Sequence, residues 1–303
     1  MKILVIGGNG FIGSHLVDQL VSNGHHVRVF DNAYERYRKP ISEVDYRISN
    51  LDSIPDLYEA MMGIDIIFHL ASSSLPSTSN VDTINDVNSN LIPTLNVLNL
   101  AVKLGITRII YFSSGGAVYG IPQYTPINEK HPIRPISSYG IVKATIESYL
   151  FLYQRLYGMK PLILRPSNPY GPRQGHYMAH GVISTFLRKI KTNEPLIVYG
   201  DGNSVKDYIF IKDLVEICYN LSLSDEVGVF NIGTGEGTSL NQIINCIVTV
   251  TRNSPEIVHT DFKNFDVPHF ILDASKISGK LKIKPFTPLE EGIKSTWKWL
   301  NSV

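Results

Sequence analysis

The 303-residue sequence predicts an α/β fold, a doubly wound parallel sheet with helices on both faces, joined to a smaller C-terminal α/β lobe. Three observations predict it. Short β-rich apolar runs alternate with longer stretches of helical spacing through the first 166 residues, the pattern of βαβ units. The first run leads straight into a glycine-rich junction, GGNGFIGSHL (7–16). A carboxylate, Asp31, closes the second run.

In order, KILVI (2–6) has the length and continuity of a buried strand. FIGSHLVDQLVSNG (11–24) carries apolar residues at helical spacing before a glycine stop. HVRVFD (26–31) and VDYRIS (44–49) read as strands, DLYEAMMG (56–63) as a helix and DIIFHLA (65–71) as a strand. A long helix is expected over about 82–104, ending at Gly105, and then a strand at TRIIYFS (107–113). YGIVKATIESYLFLYQRLYG (139–158) is a helix with a glycine stop, and PLILRP (161–166) a further strand. After 167 the rhythm loosens, proline and glycine become dense in NPYGPRQG (168–175), and helices are expected at 181–192, 212–222 and 239–252. In the closing helix, TPLEEGIKSTWKWL (287–300), Thr287 and Glu290 read as a capping box around Pro288. SSSLPSTSN (72–80) reads as a polar loop, Asp52 as a cap, and YERYRK (34–39) as a solvated loop. The expected domains are a dinucleotide-binding one over 1–167 and a substrate-binding lobe over 168–303, partly interleaved with it.

Composition narrows the function classes. With 28 Lys and Arg against 27 Asp and Glu, the net charge is +1, which gives no general attraction to nucleic acid or to an anionic membrane. The sequence has no apolar run long enough to span a membrane. The N-terminal apolar stretch is too short for a signal peptide and breaks at Gly7–Gly8, so the expected location is cytoplasmic. Cys218 and Cys246 are isolated from one another and from histidine clusters, which argues against a disulfide framework and predicts no metal site.

The glycine junction lies in the context that makes such a motif informative: strand before, helix after. Gly7 permits the tight turn, Gly10 removes a Cβ so that a pyrophosphate reaches backbone N–H groups, and Gly13 lets the helix pack closely. The helix N-terminus adds partial positive charge. Asp31, eighteen residues after Gly13, is placed to accept hydrogen bonds from an adenosine ribose and to repel a 2′-phosphate, which favours NAD over NADP; Arg36 and Arg38 are the nearby counter-indications. In SSYGIVK, Ser137 or Ser138 can cap a helix whose first turn holds Tyr139, with Lys143 one turn on. An ammonium beside a phenol, together with an oxidised nicotinamide, favours phenolate and makes tyrosine a usable proton acceptor. His69 reads as a core histidine, and Tyr119 and Tyr170 as packing residues.

These motifs, with FHLAS, SSGGAVYG, LRPSNPYGPRQ, YGDGNSVKDYIFIKD and FDVPHFILDASK, resemble the extended short-chain dehydrogenase/reductase superfamily over nearly the whole chain. The most similar branch is that of the UDP-glucose 4-epimerase-like NDP-sugar epimerases. The resemblance implies a Rossmann-type sheet and an NAD cofactor held by Gly7, Gly10, Phe11, Ile12, Gly13, Asp31 and Asn32. Asn50 and Leu51 would lie near adenine, Leu70, Ala71 and Ser72 along the phosphate and ribose path, and Asn90 would anchor the neighbouring helix. Tyr139 would serve as base and acid, with Lys143 also on the nicotinamide ribose. The implied partner is a nucleotide-diphosphate sugar. Asn168 would bind its diphosphate, and Val182, Phe186, Ile197 and Val198 would enclose its base. The loop 200–206 and the segment 263–266, with Lys206, Lys263 and Asp266, would close over its phosphates and ribose. His176, Tyr177 and His180 are candidates for the edge of the sugar pocket. A homodimer is also implied, through the helices near 82–104 and 139–158.

The implied reaction is epimerisation at C4 by transient oxidation to a 4-keto sugar, with no net redox change. Gly115 stands where the branch carries a catalytic hydroxyl, so Ser114 takes that role and the hydrogen bond to the sugar; Lys206 and Lys263 stand where it carries phosphate-clamping arginines. A reductase of an NDP-4-keto-6-deoxyhexose, using the same Tyr139 and Lys143, is the alternative. Gly116–Ala117 replace the acidic pair expected of a 4,6-dehydratase.

Overall fold

KILVI forms β1 (Lys2–Ile6), and its last four residues are buried, as a strand covered on both faces must be. In the computed structural model, which describes residues 1–74, 78–175, 181–261, 267 and 269–303, β1 leads into α1 (Phe11–Ser22), β2 (His26–Asp31), β3 (Asp45–Ile48), α2 (Ile54–Met61) and β4 (Ile66–His69). Next come α3 (Thr83–Asp86), a π-helical turn (Val87–Leu91), α4 (Ile92–Leu104), β5 (Arg108–Phe112), α5 (Gly115–Val118), α6 (Ser138–Tyr157) and β6 (Lys160–Pro166). The rest comprises β7 (Asn168–Tyr170), α7 (Val182–Lys191), β8 (Leu196–Tyr199), β9 (Val205–Phe210), α8 (Ile211–Ser222), β10 (Gly228–Ile232) and β11 (Gly237–Ser239). It ends with α9 (Leu240–Thr251), β12 (Ile257–Thr260), β13 (His269–Phe270), α10 (Ser275–Ser278) and α11 (Leu289–Leu300).

Two compact units share the chain discontinuously. The first holds residues 1–120, 132–165 and 215–230, and the second 121–131, 166–214 and 231–303. The first is built on a seven-stranded sheet of order β10-β6-β5-β4-β1-β2-β3, with parallel pairing at every step from β3 to β6. Strand alternation sends Leu4 and Ile6 to one face, where they join Ile67, Ile109 and Ile163 in a core closed by Leu57 and Met61 of α2, Val97 and Leu98 of α4, and Val142 and Ile146 of α6. α1 packs on β1 and β2. The order reverses between β1 and β4, so the strand ends there open into the crevice where doubly wound folds bind ligands. The expected Rossmann-type sheet is the one observed.

In the second unit β9 pairs with β7, β11 and β13, and β8 pairs in parallel with β12. α9 starts at a reciprocal capping box of Ser239 and Gln242, and α11 packs against α9 and α7.

Four local expectations need correction. The helix expected over 82–104 is broken by the π turn at Val87–Leu91. Thr287 and Glu290 form no capping box: Pro288 is the N-cap residue, and Thr287 gives both its N–H and its hydroxyl to the Asp213 carboxylate, at 2.8 and 2.9 Å. Asp52 caps nothing among the described residues; Asp56 instead accepts the Ser49 and Ser53 hydroxyls. In the basic stretch 34–39, Arg38 is not simply solvated, since it pairs with Asp18 at 3.0 Å and with Glu35 at 3.2 Å.

Candidate active site

The turn after β1 explains its glycines one by one. Gly7 sits at φ 84°, a left-handed conformation that side chains resist, and a Cβ there would lie 2.7 Å from the backbone nitrogen of Ala71. Its hydrogen therefore lets the end of β4 close on the turn. A Cβ on Gly13 would fall on the Gly7 carbonyl oxygen and 2.8 Å from the Gly8 Cα. The third glycine thus clears the turn itself, where the sequence suggested helix–strand packing. A Cβ on Gly10 would approach only the Gly7 oxygen, at 3.3 Å. Its open side faces a cavity of about 330 Å³ at the strand ends.

Gly7, Gly10, Asp31, Asn32, Asn50, Leu51, Leu70, Ala71, Ser72 and Asn90 all line that cavity. Phe11, Ile12 and Gly13 begin α1 behind it and do not line it. Asp31 is held from both sides: one carboxylate oxygen accepts the Asn9 N–H at 2.9 Å and the other the Ala33 N–H at 3.1 Å. Burial raises its pKa, while these N–H donors and the charge of Arg36 oppose the rise. Asn9 is fully buried and bonds the Ala33 carbonyl at 2.7 Å, so it ties the glycine turn to the end of β2. Sequence reasoning passed over Asn9, whose only signal was its place inside the glycine motif. It also passed over Ser73, and it read Asp52 only as a cap and Arg36 only as a counter-indication to NAD, whereas all three stand on the cavity wall.

His69 is 1% exposed, and its Nε2 pairs with the Thr94 hydroxyl at 2.8 Å. Burial, reinforced by the Lys143 charge, pushes its pKa down to about 3, which keeps the ring neutral. Tyr119 and Tyr170 are buried as expected.

A second constellation stands at the end of β5 and the start of α6. Ser137 settles the capping choice, its hydroxyl accepting the Gly140 N–H at 3.2 Å. The loop read only as polar also contributes: the Tyr139 N–H donates to the Ser79 hydroxyl at 3.1 Å and the Ser138 N–H to the Asn80 side chain at 2.8 Å. Tyr139 is thereby fixed in the first turn and hydrogen-bonds the Ser114 hydroxyl. Lys143 is 5% exposed, donates to the Phe112 carbonyl at 2.9 Å, and stands 4.9 Å from the Tyr111 ring centre and 5.6 Å from that of Tyr139.

The ammonium by itself does not ionise the phenol. Burial pushes Tyr139 up to about 12 against the Ser114 hydrogen bond, with Asp86 adding to the rise, and burial pulls Lys143 down to about 8 despite Glu147 and Asp86. One helical turn on, Glu147 is buried with Arg165, which donates to both its oxygens, and it accepts the Ser113 hydroxyl at 2.5 Å.

Residues 3–233 match the NAD dependent epimerase/dehydratase family. The chain belongs to that family. A solved structure of UDP-glucose 4-epimerase with UDP-glucose from Thermotoga maritima is 35% identical, with a TM-score of 0.95, covering 100% of this chain and 99% of the other. The UDP-glucose 4-epimerase of Thermus thermophilus in complex with NAD is 30% identical, with a TM-score of 0.93 and 100% of both chains covered. A dTDP-4-dehydro-6-deoxyglucose reductase of Escherichia coli is 33% identical over 96% of this chain and 95% of its own length.

The family's cofactor is NAD, and the residues present fit it. The space beside Gly10 that a side chain would fill is open, the α1 N-terminus faces it, and Asp31 closes the far side of the cavity. In the second unit, the epimerase/dehydratase chain places Asn168 at the head of β7, its amide donating to the Asp207 carbonyl at 2.9 Å. Val182 and Phe186 lie on α7, Ile197 and Val198 on β8 and Lys206 on β9. Phe186 and Val198 are buried, and Val182, Ile197 and Lys206 are half-buried. Lys263, Asp266, His176, Tyr177 and His180 lie outside the described residues. Among the described residues no His, Cys, Asp or Glu cluster could hold a metal ion, and no helix is long and apolar enough to cross a membrane.

Proposed function

We propose that the protein interconverts nucleotide-diphosphate hexoses at C4, of the UDP-glucose or UDP-N-acetylglucosamine type, through a transient 4-keto sugar. The observation that carries this reading is the Ser114–Tyr139–Lys143 group at the end of β5, within an NAD-dependent family. Bound NAD supplies a hydride acceptor and a positive ring. Tyr139 takes the proton of the sugar 4-hydroxyl and returns it, and Ser114 hydrogen-bonds the phenol and orients it. Lys143, held on the Phe112 carbonyl, keeps its ammonium over the Tyr139 ring, so phenolate formation is opposed by burial and favoured by two positive charges. Asp31 takes the adenosine ribose, and Asn50 and Leu51 the adenine side of the cavity. Asn168, Val182, Phe186, Ile197, Val198, Lys206, Lys263 and Asp266 take the sugar nucleotide. Lysines in place of arginines keep the charge but give up two-pronged phosphate contacts.

Relatives in both directions define the test, because the reductase of Escherichia coli favours a second reading, NAD(P)H-dependent reduction of a 4-keto-6-deoxy sugar. Native protein is incubated with UDP-glucose, and separately with UDP-N-acetylglucosamine, without added cofactor. The epimerase reading expects conversion with NAD retained on the protein. Strict dependence on added NADPH and a 4-keto sugar would falsify it and establish the second.

We also propose a homodimer built on the helical segment 82–104, which spans α3, the π turn and α4, and on α6. It is supported by an apolar groove between the α3–π-turn segment and the start of α6, where Ile84 is 74% and Ile141 54% exposed. A reducing, cytoplasmic setting suits the two free thiols, Cys218 and Cys246.

A further inference from the structure

The serine-rich loop and the broken helix meet at one buried carboxylate to which the proposed chemistry gives no role. Asp86 closes α3 and is 2% exposed. Its Oδ1 accepts the Ser74 hydroxyl at 2.5 Å and the Asn90 amide at 2.9 Å, and its Oδ2 accepts the Ser138 hydroxyl at 2.6 Å. A carboxylate can accept at all its lone pairs, and three donors converge on this one.

A π turn adjoins this meeting. A π turn carries one residue more than a regular turn and recurs at functional sites. Here it opens directly after Asp86, and Asn90, on its fourth residue, bonds back to both the Asp86 carbonyl and the carboxylate. The Asn90 Oδ1 meanwhile accepts the Ser73 N–H at 2.8 Å, on the wall of the nucleotide cavity. On the other side Ser138 is the residue before Tyr139. Since Ser137 already caps α6, the Ser138 hydroxyl is free to serve Asp86.

We propose that Asp86 is a positioning residue for proton transfer. Its carboxylate ties the first turn of α6, and with it Tyr139, to the segment whose Asn90 and Ser73 line the nucleotide cavity, and its charge opposes ionisation of the Tyr139 hydroxyl. The inference rests on the reading of Tyr139 as the proton-transfer group. The other groups facing the Tyr139–Lys143 pair are the Tyr111 phenol from β5, neutral His69 from β4, Ser114, and Glu147 from α6. Glu147 is already matched by Arg165, whereas Asp86 is met by two hydroxyls and an amide. Its charge raises the pKa of both Tyr139 and Lys143. A phenol held protonated until a cationic ring binds beside it can give a proton back as well as take one, which a reaction running both ways requires.

The test is an NMR titration of isotope-labelled tyrosine in the full chain, with the Tyr139 signal assigned by its loss in Tyr139→Phe. Asp86→Asn, which keeps the size, removes the charge and turns one of the two accepting oxygens into a donor, is expected to lower the Tyr139 midpoint by roughly one pH unit. Asp86→Glu, which keeps the charge, is expected to restore it toward the parent value. An unchanged midpoint in Asp86→Asn, or an equal fall in Asp86→Glu, overturns the proposal. Should Asp86→Asn fail to fold, Ser138→Ala spares the cap and removes only the anchor. There kcat is expected to fall roughly tenfold or more at unchanged NAD affinity, and a parental kcat overturns the proposal. The titration needs no substrate, so its outcome stands apart from whether the chain is an epimerase.

Discussion

Burial of a single imidazole makes the fold sensitive to acid. His69 holds its pKa near 3 in the folded chain, against 6.5 for the ordinary side chain. Below pH 6.5 the unfolded chain therefore binds a proton that the folded chain refuses, and stability falls as the pH falls. Between pH 7 and pH 5 this one residue is expected to remove about 2 kcal/mol. Urea unfolding at the two pH values, in the parent and in His69→Gln, measures the difference. Equal acid sensitivity in both chains contradicts the assignment. At the same scale, sequence reasoning identified the glycines and Asp31 from local context, because a turn and a strand end are decided by neighbours in the chain. Asn9 and Asp86 escaped it. Their partners, Ala33 for Asn9 and Ser138 for Asp86, lie 24 and 52 residues away, and no local pattern announces such pairs.

Helix α6 shows how one element gathers the site. Tyr139, Lys143 and Glu147 follow at intervals of four and so share a face, which the sequence made plain for the first two. Glu147 then pins that face to the sheet through Ser113 at the end of β5 and Arg165 on β6, and the Arg165 guanidinium stacks 4.7 Å from the Tyr119 ring centre. Glu147→Gln leaves a buried guanidinium without its counter-charge, and a loss of about 3 kcal/mol is expected from chemical denaturation. A change under about 0.5 kcal/mol, the ordinary size for a surface substitution, shows that the pair holds nothing in place. The helix before it was legible only in part. Its apolar spacing continues smoothly across residues 82–104, so periodicity reports one helix. The extra residue of the π turn shifts the hydrogen bonding while leaving that pattern intact. Thr287 misled for a related reason: its sequence fits a cap, but Asp213, 74 residues away, takes its donors.

For the whole molecule, the alternation of strands and helices sufficed to predict the parallel sheet, since parallel strands need a long crossover connection, usually a helix over one face; β2 and β3 are joined without one. The division into two units was harder to read, because segments 121–131 and 215–230 belong to units that their neighbours in sequence do not. Association through the α3–α6 groove predicts that Ile141→Asp sediments as a monomer where the parent sediments as a dimer; a parental sedimentation coefficient in that variant contradicts the proposed interface. The proposed chemistry stands on the Tyr139 hydroxyl as the group that moves the sugar's proton. Its most direct measurement is the rate of UDP-sugar interconversion in Tyr139→Phe, with bound NAD quantified in the same preparation. Loss of turnover by at least about a hundredfold, with NAD content unchanged, is the predicted result. Parental rates in that variant contradict it and place the proton acceptor elsewhere.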